Sequence, residues 1–308
     1  MIKKILTFIS RKKNLLLMFF LIILIILFFV GIKNLKYKDS SNKFITSALV
    51  NPKYLSQIQT IEFENKFNLV KINENWFVKI NENKYPADTN KIEEMLKNFT
   101  KVIKMYKKLY SKKEKSQYFQ KIISGSHNNC LLFYTSLENF SNKENISSIC
   151  FGETDFTNTK IDILNLKNDE IFQAENIYTE YINPDVTFFI RKDFFPQNLS
   201  QNYSKIQQII IKDFAQNQSI IYDKLNKNSE DKFYKKLNQI LLLRSDDVQL
   251  NLSEKINNSK PITQVILSLG NDTTSNFSVY FIDNKFYVKT QDNLIFGISE
   301  WTYNRIGE

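Results

Sequence analysis

One stretch of the chain contains no polar side chain at all. Leu15 to Ile32 reads LLLMFFLIILIILFFVGI. As an α-helix at 1.5 Å per residue it would extend about 27 Å, close to the hydrocarbon thickness of a bilayer. Each central Leu, Ile or Phe favours insertion by about 0.3–0.6 kcal/mol. The run is longer than the apolar region of a cleaved signal peptide. Gly31-Ile32-Lys33-Asn34-Leu35-Lys36 offers no small-residue cleavage site. Five bases precede the run (Lys3, Lys4, Arg11, Lys12, Lys13) and three follow it (Lys33, Lys36, Lys38). The positive-inside rule then sets the N-terminus in the cytoplasm. The expectation is a basic tail over 1–14, a transmembrane signal anchor over 15–32 in contact with the bilayer, and a juxtamembrane connector over 33–58. Residues 39–308 would lie outside the inner (cytoplasmic) membrane of a single-pass protein.

Beyond residue 58 the pattern alternates between periods of two and of 3.6. Thr60–Phe63, Asn68–Ile72 and Trp76–Ile80 read as strands. Asp88 or Thr89 then caps a helix with apolar residues at Ile92, Met95, Leu96, Phe99, Val102, Ile103, Tyr106 and Leu109. Strands follow at Leu131–Thr135, Ile146–Phe151, Lys160–Leu166 and Glu170–Gln173, with a short helix from Glu175 to Ile182. The second half replays this order. Ile206–Ile211 and Ile220–Tyr222 are strands, and Ser229 opens a helix bearing Phe233, Leu237, Ile240 and Leu241. Strands come next at Val248–Leu252, Ile262–Leu269, Phe277–Ile282, Lys285–Lys289 and Leu294–Gly297. Ser299–Ile306 is a terminal helix. Lys91-Ile92, Leu96 and Phe99 lie over Lys232-Phe233, Leu237 and Ile240 at an offset of 141. Phe151-Gly152 lies over Leu269-Gly270 at 118. The expected fold class is α+β: two repeats, 59–184 and 185–308, each an antiparallel sheet with one long helix packed on it.

Charge sharpens the picture. The net charge is +10, yet eight of the 42 Lys and Arg lie in residues 1–38, which hold no acid. The rest of the chain balances 34 bases against 32 acids. A nucleic-acid footprint is a dense basic face, so no nucleic-acid partner is expected. One His and two Cys cannot supply a His/Cys metal cluster. No phosphate-binding glycine motif, zinc-protease motif or nucleophile elbow occurs. No catalytic residue, cofactor or metal is therefore assigned. His127 sits in the polar run Ser124–Asn129 and reads as a loop residue. Glu153 with Asp155, and Asp246 with Asp247, are carboxylate pairs without calcium-loop spacing. Phe188-Phe189 and Phe194-Phe195 read as core or as an exposed docking patch. Cys130 and Cys150 flank two neighbouring strands at equal distance from residue 140. A hairpin centred there sets them face to face, within reach of a disulfide; two buried thiols are the alternative.

The run Ile61-Glu62-Phe63, Leu69-Val70-Lys71, Trp76-Phe77-Val78, Tyr85-Pro86-Ala87-Asp88, Ile92, Leu96 and Phe99 resembles the opening of the bacterial domain of unknown function 4340. Phe151-Gly152-Glu153, Ile171-Phe172, Tyr181 and Arg191–Pro196 look like its continuation. That resemblance implies a membrane-anchored accessory protein beside an ABC-type exporter of the gliding-motility kind, with a permease or auxiliary membrane protein as partner. It implies no reaction. Trp76, Tyr85 and Pro86 carry its most specific part and are the candidate docking residues. The leading expectation is thus a non-catalytic extracytoplasmic component of an envelope transporter. The alternative is a cell-surface or wall-associated module that binds glycan or protein, which exposed aromatics in a groove would favour. The third reading is an extracytoplasmic hydrolase using two carboxylates in one pocket.

Overall fold

The computed structural model describes residues 21–27, 44–108, 112–124, 129–136, 144–157, 159–175, 177–196, 199, 203–226, 229–245, 247–270 and 273–307. The described strands form two large antiparallel sheets, of ten and of seven strands, with few helices. Two compact units emerge, each assembled from separate stretches of chain.

The first unit draws on Met1–Leu55, Asn98–Leu131 and Ser147–Ile182. Its strands are β1 (Phe44–Ser47), β6 (Ile103–Lys107), β8 (Asn145–Thr154), β9 (Lys160–Asn165) and β10 (Glu170–Glu175), in the order β1-β6-β10-β9-β8. Helix α2 (Lys112–Ser124) is tied to this sheet through the buried Asp162 of β9. Lys108 Nζ lies 2.7 Å from that carboxylate, and Tyr118 Oη also donates to it. Gly152 leaves room for this pairing. A Cβ there would stand 3.2 Å from both Asp162 Cβ and Ile122 Cδ1.

The second unit draws on Ser56–Lys97, Leu132–Ile146 and Asn183–Glu308. It opens with the meander β2 (Thr60–Phe63), β3 (Phe67–Ile72), β4 (Asn75–Ile80) and β5 (Asn83–Pro86), followed by helix α1 (Thr89–Thr100). Asp88 caps α1, its Oδ1 accepting from the Lys91 N–H at 3.3 Å. The seven-stranded sheet contains β11 (Gln208–Asp213), β12 (Gln218–Asp223), β13 (Asp247–Val248), β14 (Thr263–Ser268), β15 (Thr274–Ile282), β16 (Lys285–Thr290) and β17 (Ile295–Ile298). Its order is β12-β11-β14-β15-β16-β17-β13. Helix α3 (Glu230–Leu241) lies against β11 and β12 and buries Phe233, Leu237 and Ile240 completely. Helices α4 (Ser253–Asn257) and α5 (Glu300–Gly307) complete the unit.

Asparagine does the work that glycine does in most hairpins. The chain has six Gly in 308 residues. Asn65, Asn73, Asn81, Asn217, Asn284 and Asn293 all take positive φ, between 48° and 60°. Asn tolerates the left-handed region because its short polar side chain bonds locally.

Three expectations are corrected by this architecture. The first is the membrane span. Of the apolar run 15–32, only 21–27 is described, as helix; the rest, with the tail 1–14 and residues 33–43, lies outside the described residues. No helix among the described residues is long and apolar enough to cross a membrane. The single-pass placement, with N-terminus inside and residues 39–308 outside, is withdrawn.

The second is the fold class. The halves are not sheet-and-helix repeats; strands dominate, and each unit is stitched from discontinuous segments. The third concerns one pattern read with the wrong period. Val102, Ile103, Tyr106 and Leu109 are spaced as a helical face. Yet α1 stops at Thr100, and 103–107 is strand β6, with Ile103 and Met105 turned inward. Similarly, the short helix expected over 175–182 is a single 3-10 turn at Thr179–Tyr181.

Candidate functional site

A candidate among the described residues is an open groove of about 560 Å³ in the second unit. Its position follows from one tight turn. Asp283 and Asn284 both take positive φ (50° and 60°), the mirror-image turn whose twist suits a two-residue hairpin. This fixes Phe281 of β15 opposite Phe286 of β16, with ring centroids 4.8 Å apart. Phe286 in turn stacks on Tyr303 of α5 at 4.4 Å and 14°. Phe281 remains 48% exposed at the mouth. The aromatic wall is therefore held from behind and open in front.

Polar residues on the other face of the sheet and at its end complete the lining. Gly297 of β17 lies between Tyr287 of β16 and Asp247 of β13 in register. With no side chain at 297, the floor between Tyr287 and Asp247 stays clear. Gln249 Nε2 donates to the Asp247 carboxylate. Ser299 opens α5, its Oγ accepting from the Thr302 N–H at 3.2 Å, and Glu300 stands in that first turn. A carboxylate there complements the helix dipole. Asn284 and Lys285 also line the groove. Carboxylates, amides, an ammonium group and one half-exposed ring all line this groove. Sites for small polar ligands are built this way: an apolar wall for contact and a few placed polar groups for orientation.

The residues expected from sequence fall elsewhere, with one exception. Cys130, in β7 (Cys130–Tyr134), and Cys150, in β8, are joined by a disulfide across directly opposed positions, Cα atoms 4.0 Å apart. The Phe151 N–H donates to the Asn129 carbonyl at 3.0 Å, which confirms the register. Trp76 is buried in β4 and offers no docking surface. Tyr85 and Pro86 are half-buried in β5, and the Pro86 carbonyl accepts from the Arg191 N–H. Phe189 packs on Phe63 and Phe67, and Phe194 and Phe195 pack on Phe277, all as core. Glu153 is exposed and paired with Lys121. Asp155 organises a surface turn, and its carboxyl is held below the usual range chiefly by the Thr157 hydroxyl and the Lys160 N–H. His127 and Asp246 lie outside the described residues. Asp247 is the exception, as a groove residue. Among the described residues, no group of three or more His, Cys, Asp or Glu is placed to hold a metal ion.

Phe281, Phe286, Tyr287 and Glu300 had no local signal in the sequence. Their shared position arises from strand ends and a helix start far apart along the chain.

No model of a known protein family, no curated protein and no solved structure matches the chain. These comparisons give no support to the family-4340 resemblance or to a transporter association.

Proposed function

We propose that this chain is a non-catalytic binding module that takes up a glycan in the groove beside Phe281. The observation that carries the reading is the half-exposed ring of Phe281, braced by Phe286 and Tyr303, in a groove whose lining also holds Asn284, Ser299 and Glu300. A sugar ring has a face of C–H groups and a rim of hydroxyls. Its C–H face packs on an aromatic ring while its rim hydroxyls donate to carboxylates and amides. The aromatic ring supplies rigid apolar area at small entropic cost.

The test is isothermal titration of the full chain with soluble oligosaccharides of glucan, chitin and peptidoglycan type. One class should bind, and Phe281→Ala should weaken it at least about tenfold. Near-ultraviolet circular dichroism should show the fold unchanged. No binding by any class, or equal binding by the variant, would reject the reading.

One observation favours a second reading. Asp247 and Glu300 line the same groove, and glycoside hydrolysis needs two such carboxylates. Release of new reducing ends from the bound oligosaccharide, abolished by Glu300→Gln, would replace binding with hydrolysis.

A further inference from the structure

The seven-stranded sheet ends on β12, and this edge differs from the other sheet edges. β13, at the far end of the same sheet, has two residues. β5 carries Lys84 and ends on Pro86, which has no N–H to offer a neighbour. β1 has four residues. β12 is six residues long, pairs with β11 in unbroken register, and contains neither Pro nor Lys. It also presents Ile220 (45% exposed) and Ile221 (60% exposed). Exposed Phe214 precedes it and exposed Leu225 follows it. A long, regular, apolar edge is a template for another strand unless something covers it.

Its free hydrogen-bonding groups can be assigned. The Lys224 N–H donates to the Gln207 carbonyl of the neighbouring chain segment. By antiparallel alternation, residues 218, 220 and 222 also turn their backbone groups toward β11. Ser219, Ile221 and Asp223 turn theirs outward.

We propose that β12 pairs antiparallel with β12 of a second copy of this chain, about a two-fold axis through Ile221. A closed two-fold pair requires one residue to face itself. Centred on Ile221, the outward N–H and C=O groups of 219, 221 and 223 all find partners. Side chains then match. Ile221 meets Ile221, Ile220 meets Tyr222, Ser219 meets Asp223 as hydroxyl to carboxylate, and Gln218 meets Lys224. Leu225 of each copy reaches the turn that carries Phe214 of the other. Centring on 220 sets Ile221 against Ser219. Centring on 222 sets Ile221 against Asp223 and Ile220 against Lys224. Only the first register pairs apolar with apolar and polar with polar. This interface does not depend on the groove's ligand.

Sedimentation equilibrium of the full chain between about 1 and about 100 μM should show a monomer–dimer equilibrium. Ile221→Lys places two ammonium groups face to face and should raise the dissociation constant at least about tenfold. Circular dichroism should show the sheet intact. Ile221→Cys should form an intermolecular disulfide on mild oxidation, while Ile220→Cys, whose partner is Tyr222, should not. A wild-type monomer across the range would overturn the proposal. So would a dimer that survives Ile221→Lys, or equal cross-linking by the two cysteine variants. If Ile221→Lys fails to fold, the two cysteine variants decide alone.

Discussion

Tyr134 shows how one residue's surroundings become measurable. Its phenol is partly withdrawn from water, and the carboxylate of Glu62 stands beside it. Burial first, then the Glu62 charge and hydrogen bond, push it up to about 12 from an ordinary value near 10. The folded form therefore holds the proton more tightly than the unfolded chain does. The stabilisation is complete below pH 10 and is lost as pH rises through about 12. Alkaline unfolding should steepen in that window for the native chain. Tyr134→Phe, which has no proton to lose, should flatten this component of the profile. Tyrosinate absorbance should meanwhile lack one late-titrating group in the variant. An unchanged profile would show that Glu62 and burial do not act on Tyr134 as described.

At the scale of elements, the hairpin turns store a small correctable strain. Between β3 and β4 the turn residues are Asn73 and Glu74, with φ of 48° and 66°. Asn accepts that region readily, whereas Glu pays for its Cβ, at about 1–2 kcal/mol. The Glu74 carboxylate is 2.6 Å from Lys71 Nζ, but its side chain is 85% exposed. Such a pair returns only about 0–1 kcal/mol. Glu74→Gly should therefore raise stability by up to about 1 kcal/mol, after the greater freedom of Gly in the unfolded chain and the lost ion pair are set against the relief. Urea denaturation with an unchanged slope would measure it; a loss of stability would refute the strain.

Elements of this kind were largely legible in advance. The strands at 60–63, 160–166, 262–269 and 277–282 and the helix after Ser229 are found within a few residues of their expected ends, because each carries one clear period. The Cys130–Cys150 register was legible for a similar reason: a hairpin has a single centre. The segment after Thr100 was not, since Val102, Ile103, Tyr106 and Leu109 continue the helical spacing, whereas the strand formed there buries Ile103 and Met105 and leaves Val102 exposed. Its choice is made by strands from elsewhere: β1 and β10 take β6 between them.

The whole molecule is where the sequence was least informative. Both compact units are built from pieces that are not adjacent along the chain, so a boundary drawn at one residue cannot separate them. The groove has the same character. Asp247, Phe281 and Glu300 come to line one groove only through the order β15-β16-β17-β13. That pairing order has a consequence for the C-terminal part. Asn183–Glu308 contains the entire seven-stranded sheet, together with Phe194 on Phe277 and Phe296. It also contains Phe189 and Ile190, both fully buried. Their covers, however, are Phe63, Phe67 and Ala87, from the second unit's earlier segment. The Asp88 N–H bond to the Phe189 carbonyl, at 2.7 Å, comes from that segment too. A fragment spanning 183–308 should therefore keep its strand content by circular dichroism while exposing two large apolar side chains that the full chain hides. Binding of an apolar fluorescent dye should rise relative to the full chain. It should fall again in a fragment that starts at Arg191, which drops both residues. Equal dye binding by the two fragments would mean that Phe189 and Ile190 find cover within the C-terminal part. The earlier segment would then be dispensable to its packing.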